Sequence, residues 1–317
     1  AFLASGLIAL MSAACSVLFS TSKEQCATDD DCKNRGAGFE GSKCSLDNVC
    51  VGGSVVVPGE DASKPDAPVG DGAVDPFACA SEPLASPDPS RKIDVGIKYT
   101  DFTNGQPAVG LAVRLCAQTD PLCSSPRTTL EGAGPADAGV ADAGAGLVAT
   151  RTDGTVTSKV EYGFEGFFEV KSPTFAPTYR YTSPPLKASF VFEQILLRPA
   201  EINFLADQAL GKTNAYESVG HGLVFLFARD CEQKPLAGVS FTTSAQGPIM
   251  ERFFIINTSP SKTDTQTDGL GRGGFVNVPP GLHTFTMEQV ATKRRLGAVR
   301  ILVRAGAATT VAILPSP

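Results

Sequence analysis

The chain has 317 residues, 42% of them hydrophobic, enough to bury one or two cores at the usual domain size. Its formal net charge is -6 with no long basic run, so the footprint that a phosphate backbone demands is missing and nucleic acid is not an expected partner. The lack of Trp and a total of only five Tyr weigh against a sugar-binding module that stacks pyranose rings on exposed aromatics.

The first stretch, AFLASGLIALMSAAC from Ala1 to Cys15, is apolar and ends in small residues. That is the pattern of a secretory signal, read here as entered part-way through, with residues 1–14 as the signal. Its end, Ser12-Ala13-Ala14-Cys15, resembles a bacterial lipobox, with Ser12 where Leu is usual and Leu10 close by. The resemblance implies a lipid on Cys15, a membrane as partner, and a place in the cell envelope, in the periplasm or at the cell surface. Ordinary secretion and an uncleaved anchor over residues 1–19 stay open. If Cys15 carries lipid, the other eight of the nine cysteines (Cys26, Cys32, Cys44, Cys50, Cys79, Cys116, Cys123 and Cys231) form an even set suited to disulfides in an oxidising compartment.

Residues 15–50 hold Cys26, Cys32, Cys44 and Cys50 in the spacing C-x5-C-x11-C-x5-C. So short a segment buries little, and disulfides are the expected source of its order. Structural zinc favours closer pairs, and the run Asp29-Asp30-Asp31 lacks the alternation of a calcium loop, so no metal or cofactor is expected. Residues 51–90 are rich in Pro, Gly, Ala, Ser and Asp, the composition of a disordered linker that would tether a folded part away from a membrane. Residues 131–147 have the same character and are expected to be a disordered insert.

From Arg91 the pattern changes to period two. Ile93, Val95, Ile97 and Tyr99 share one face of a predicted strand, and Leu111, Val113 and Leu115 share another. GFFEVK, FVFEQILL, GLVFLFA, GAVRILV and TTVAIL continue the theme with Gly, Pro, Asn and Asp between them. A mainly β chain is expected, with a first β-sandwich over residues 91–197, a connecting helix and loop over 198–218, and a second β-sandwich over 219–317. The helix is predicted in RPAEINFLADQALG, where Pro199 suits the first turn, Gly211 the C-terminal cap, and Ile202, Leu205 and Ala209 fall near one face.

The two halves repeat. GQPAVGLAV from Gly105 matches QKPLAGVSF from Gln233, and TDGTV from Thr152 matches TDGLG from Thr267. Asp153 to Gly166 and Asp268 to Gly281 are both 13 residues, while the upstream spacings of 46 and 33 differ by the Ala/Gly-rich insert. This order of signals resembles carboxypeptidase regulatory-like domains, which are transthyretin-like (prealbumin-like) β-sandwiches related in form to adhesin B-type repeats. The match is fuller in the second half; in the first, TDGTV lacks the second Gly and Glu165 stands where Pro is usual. The resemblance implies that Asp153, Gly154, Asp268, Gly269 and Gly281 form a turn signature, with positive φ at the Asp-Gly pairs, rather than a phosphate cradle. The Pro-Pro-Gly after FVNV also stops the helix that a phosphate loop requires.

No catalytic residues stand out. His221 and His283 lie 62 residues apart, and no G-x-S-x-G elbow or H-E-x-x-H pair occurs. Ring-cleaving dioxygenases and hydroxyisourate hydrolases share the sandwich shape, but the H-x-H pair and the C-terminal Y-R-G-S signature are missing. An isopeptide bond of the adhesin kind would join Lys98 to Asn277 beside Glu169 or Glu288, but exposed polar residues on half-solvated strands are the expected reading. Lys293, Arg294, Arg295, Arg300 and Arg304 concentrate positive charge and are expected to line a solvated edge. Tyr179 and Tyr181 share one strand face and are the better candidate platform for an envelope glycan, ahead of Phe253 and Phe254. Cys116 and Cys123 are the expected short-loop disulfide. The expected function is a non-enzymatic lipoprotein whose sandwiches bind an envelope protein or glycan or act as spacers; the alternative is a secreted carbohydrate-binding accessory module, and an enzyme on the same sandwich is a third.

Overall fold

Runs of period two become strands because alternate branched and aromatic side chains can share one buried face of a pleated backbone. In the computed structural model, residues 28, 30–31, 43–44, 50–51, 76–127, 129–133 and 146–317 are described. The chain divides into the units Ala1–Asp71 and Gly72–Pro317. Within the first, β1 (Lys43–Cys44) pairs antiparallel with β2 (Cys50–Val51), with Cys44 opposite Cys50. The Asp31 carboxylate accepts from the Thr28 N–H and hydroxyl at 2.8 and 3.0 Å. The lipid on Cys15, the bonding of Cys26, Cys32, Cys44 and Cys50, and the tether over 52–75 lie outside the described residues.

The second unit is mainly β and holds two sandwiches. The first is built from β3 (Asp88–Asp101), β4 (Ala112–Ala117), β5 (Leu130–Glu131), β6 (Val148–Ala149), β7 (Thr155–Tyr162), β8 (Gly166–Lys171), β9 (Thr178–Thr182) and β10 (Phe190–Leu196). Helix α1 (Pro199–Leu210) follows. The second sandwich comprises β11 (Gly222–Ala228), β12 (Val239–Thr243), β13 (Glu251–Ile256), β14 (Ser259–Ser261), β15 (Arg272–Val278), β16 (Gly281–Gln289), β17 (Arg295–Val303) and β18 (Ala308–Ile313).

The repeat is a repeat of topology. In the first sandwich a sheet β10-β3-β7-β5 stands against β6-β4-β8-β9; in the second, β14-β13-β15-β11-β18 stands against β12-β16-β17. Each last strand returns parallel to the first, β10 beside β3 and β18 beside β11. The sandwiches are then spliced: β18 also pairs parallel with β9, Ala308 opposite Thr178 through Val311 opposite Tyr181, giving one nine-stranded sheet. Each of these edges covers the other, which removes two open ladders from solvent.

Ile93, Val95, Ile97 and Tyr99 are buried on one face of β3, with Leu111, Val113 and Leu115 opposite them, in the core of the first sandwich. The core of the second takes in residues of both: Val224, Phe241, Phe285 and Ile301 pack in one cluster with Cys116, Phe167, Tyr179 and Tyr181 of the first. The shared sheet is thus covered on both faces along β4, β8 and β9. α1 begins at Pro199, whose fixed φ suits a first turn, and Glu201 accepts the Arg198 N–H at 2.7 Å. Gly211 at φ +64° ends it, with its N–H bonded to the Asp207 carbonyl at 2.9 Å. The helix is more than a connector, because Ile202, Ala206, Ala209 and Leu210 pack on Leu223, Phe253 and Val276.

Three expectations need correction. The linker was expected to reach residue 90, yet residues 76–90 hold a 3-10 turn (Ala78–Ser81) and the start of β3, and Cys79 is bonded to Cys231. A disulfide supplies order that the composition of this stretch does not. The expected insert over 131–147 is narrower: Leu130–Glu131 is strand and Leu147 is buried, while 134–145 lie outside the described residues.

The register of the repeat also moves by two. Thr150 and Thr267 are the equivalent residues: their hydroxyls donate to the Ala108 and Leu236 carbonyls at 2.7 and 2.8 Å. Likewise the Gly154 carbonyl accepts from Tyr99 as the Gly271 carbonyl accepts from Ala228. Gly154 (φ +78°) therefore corresponds to Gly271 (φ +65°), and a Cβ on either would meet a backbone oxygen at 2.5 Å. Gly269, expected at positive φ, has neither that conformation nor a close neighbour.

Candidate functional site

The described chemistry gathers at the splice between the sandwiches. On β9 the alternation Tyr179, Arg180, Tyr181 puts the two tyrosines on one face and the arginine on the other. Tyr179 and Tyr181 are 8% and 3% exposed, so they are not the open platform expected of them. A strand at a free edge would have left them in water, but the second sandwich covers that face. The same holds for the rival strip: Phe253 lies against α1 and Phe254 in the core of the second sandwich.

On the tyrosine face, Arg304 stands 3.8 Å from the Tyr179 ring centre and 5.1 Å from that of Phe167. Such contacts contribute up to about 2 kcal/mol when desolvated. Arg304 also donates to the Pro121 carbonyl and lies 3.4 Å from the Tyr181 hydroxyl. The Tyr181 hydroxyl sits 3.3 Å from both the N–H and the carbonyl of Leu302. Beneath, the Tyr179 hydroxyl donates to Glu169 at 3.0 Å, and Glu169 pairs with Arg114. Burial first, then the Glu169 charge, pushes the Tyr179 phenol well above its ordinary range. Arg304 was expected on a solvated edge with Lys293, Arg294, Arg295 and Arg300; those four are exposed, whereas Arg304 is turned into the joint.

The loop that meets Arg304 is tied by Cys116–Cys123, Cα atoms 5.3 Å apart, as the spacing suggested. Within it the Asp120 carboxylate accepts the Ser125 and Ser124 N–H groups at 2.7 and 2.9 Å, which hold its pKa below the usual range. Gln118 donates from the same loop to the Arg300 carbonyl at 2.9 Å. Cys116, Cys123 and Glu169 bring three potential ligand atoms together. The two sulfurs are bonded to one another, so no thiolate is available and the group is not a metal centre. Cys79–Cys231, with Cα atoms 5.6 Å apart, ties the entry of the unit to the end of β11, and Cys79 Sγ lies 3.6 Å from the Pro315 carbonyl oxygen.

The remaining candidates are not brought together. His221 Nδ1 lies 2.8 Å from Glu217 before β11, while His283 Nε2 lies 2.9 Å from the Pro279 carbonyl on β16. Asn277 is an ordinary amide: its Nδ2 donates to the Ala215 and Ile249 carbonyls and its Oδ1 accepts from Glu217, with Lys98 in the other sandwich. Asp153 and Asp268 serve turns, accepting N–H groups of Thr155 and Leu270, and Gly281 has φ +143°. An open groove of about 570 Å³ does lie elsewhere, lined by Glu82, Leu84, Arg91, Tyr162 and Lys187, with the Arg91 guanidinium 4.2 Å from the Tyr162 ring centre. Sequence inspection missed this groove, Arg180 and the Glu169 pair; the one visible signal was a charge set between tyrosines in TYRYT.

No family model matches the chain, and no curated protein matches it. Among solved structures it is similar to the shaft pilin spaA from Lactobacillus rhamnosus GG, at 12% identity over 71% of this chain and 98% of that one, with a TM-score of 0.22. It is similar also to a Streptococcal ancillary pilin, at 12% identity over 73% and 64% of the two chains with a TM-score of 0.21. The major pilin subunit of Bacillus cereus, BcpA*(D312A), aligns at 12% identity over 71% and 70% with a TM-score of 0.24. At TM-scores this low nothing of those proteins' arrangement or role transfers to this chain.

Proposed function

We propose that this protein is a non-enzymatic, exported module of the bacterial cell envelope. A lipid on Cys15 anchors it, the Cys-rich segment and tether hold it off the membrane, and two carboxypeptidase regulatory-like sandwiches act as one stiff spacer or display body. The observation that carries this is the splice of β9 to β18, over which one core runs through both sandwiches. Two disulfides support an oxidising destination. The test is expression behind a lipoprotein leader with a labelled fatty acid. The wild type should be labelled and sediment with membranes, and Cys15→Ser should be unlabelled and released; equal release of both would refute the anchor.

A second reading, a carbohydrate-binding accessory module, is favoured by the groove at Tyr162. All four other tyrosines are buried, so Tyr162, which lines this groove beside Arg91, is the one tyrosine a sugar could reach. Glycan-array binding lost in Tyr162→Ala would favour it over the spacer.

A further inference from the structure

Arg180 sits on the face of β9 away from Arg304, and it is 7% exposed. Among the described residues its Nε and Nη1 are buried without any hydrogen-bond acceptor, and so is the hydroxyl of Tyr99, which is 0% exposed and lies opposite Gln194, whose side chain meets Thr310, the β18 partner of Arg180. Phe192 and Phe227 lie 5.1 and 5.3 Å from the guanidinium carbon, one from each sandwich. These rings soften the charge but accept no N–H at hydrogen-bond range. Besides the Tyr99 phenol, the group that acts on Arg180 through space is a like charge, Arg229, which has Arg272 beside it in turn. The acid there, Asp230, faces Arg229 and spends one carboxylate oxygen on the Glu232 and Lys234 N–H groups. A buried guanidinium with open donors and a net positive surround is costly in the way that a paired one is not.

We propose that Arg180 and Tyr99 form a binding site for a small inorganic anion at the seam between the sandwiches, with Arg180 Nε–H and Nη1–H and the Tyr99 hydroxyl as its donors. A halide or a small oxyanion fits this chemistry: it supplies the missing charge and accepts from three donors at once. Thr310 and Gln194 do not compete for it, because the Thr310 hydroxyl already donates to the Gln194 side-chain oxygen at 2.6 Å and the Gln194 amide donates to the Ile195 carbonyl. The bound anion would join residues of β3 and β9 across the core of the first sandwich, beside Phe227 of the second, and would make the stiffness of the body depend on the anion present.

The test compares thermal unfolding of the full chain in sodium chloride and in sodium gluconate at equal ionic strength, with a bromide-soaked crystal for anomalous scattering. Melting should rise with chloride and saturate, and a bromide peak should stand within hydrogen-bond reach of Arg180. Arg180→Met should abolish the chloride dependence. Tyr99→Phe, which keeps the ring, should weaken the half-saturating chloride concentration about tenfold through loss of one donor, and it serves if Arg180→Met does not fold. A triple Ala variant of Lys293, Arg294 and Arg295 should keep the dependence, which separates the seam from the exposed basic turn. Equal melting in both salts, an unchanged chloride response in Tyr99→Phe, or no bromide at Arg180 would overturn the site.

Discussion

The two sandwiches share a strand order but not a boundary condition. The smaller sheet of the second, β12-β16-β17, packs its apolar face on one core; the corresponding sheet of the first, β6-β4-β8-β9, packs on two. Phe168 of β8 belongs to the first core while its neighbour Phe167 belongs to the shared one. The first sandwich has thus surrendered an outer face that its relative keeps for solvent. The difference teaches that tandem repeats need not be independent domains: Cys116 of β4, Phe167 of β8, and Tyr179 and Tyr181 of β9 belong to the neighbouring core.

The largest effect should come from the bond that ties the halves. Cys79–Cys231 closes a ring spanning 152 residues that includes the whole first sandwich, whereas Cys116–Cys123 spans 7. Chain entropy puts the two at about 5 and 2.5 kcal/mol. The Cys79→Ser/Cys231→Ser pair should therefore lower the denaturation midpoint about twice as far as Cys116→Ser/Cys123→Ser. Next comes Glu169, 3% exposed and paired with Arg114 beneath Tyr179. Glu169→Ala removes the ionic partner of the half-buried Arg114 and the acceptor of the Tyr179 hydroxyl, and should cost roughly 3 to 4 kcal/mol. It should do so in a single shifted transition, since the damage lies where the halves meet.

The register of the repeat gives a sharper contrast. Gly154→Ala and Gly271→Ala each put a Cβ against a backbone oxygen at positive φ and should each cost roughly 2 to 3 kcal/mol. Gly269→Ala has open space and should fall within about 0.5 kcal/mol of the wild type. Urea midpoints of the three variants decide between the two alignments.

The smallest effect is a pH dependence at the start of α1. Arg198 hydrogen bonds hold the Asp101 carboxyl below its usual pKa, with the pair at 2.6 Å. A carboxylate with a depressed folded pKa contributes stability that is present above its unfolded value and fades as pH falls through the folded one. Asp101→Asn should lose about 1.5 kcal/mol at neutral pH, and the gap from wild type should close below about pH 4. Parallel pH series of melting temperature check this.

Much of the fold was legible locally. The faces of β3 and β4 followed from alternation, α1 from Pro199 and Gly211, and the short disulfide from the spacing of Cys116 and Cys123. The register slipped because Thr-Asp-Gly recurs as letters while the shared role belongs to Thr150 and Thr267, whose hydroxyls bond backbone three strands back in the chain. The splice left no local trace at all. TYRYT reads as a half-solvated strand, and only its pairing with β18, some 130 residues on in the chain, buries both faces and turns a proposed platform into a joint.

The central claim is that the sandwiches unfold as one body through the β9–β18 splice. Scanning calorimetry of the Cys79→Ser/Cys231→Ser variant, where the covalent tie is gone, tests it most directly. A single peak whose calorimetric and van't Hoff enthalpies agree is the expected result. Two separable peaks, or a calorimetric enthalpy near twice the van't Hoff value, would contradict it.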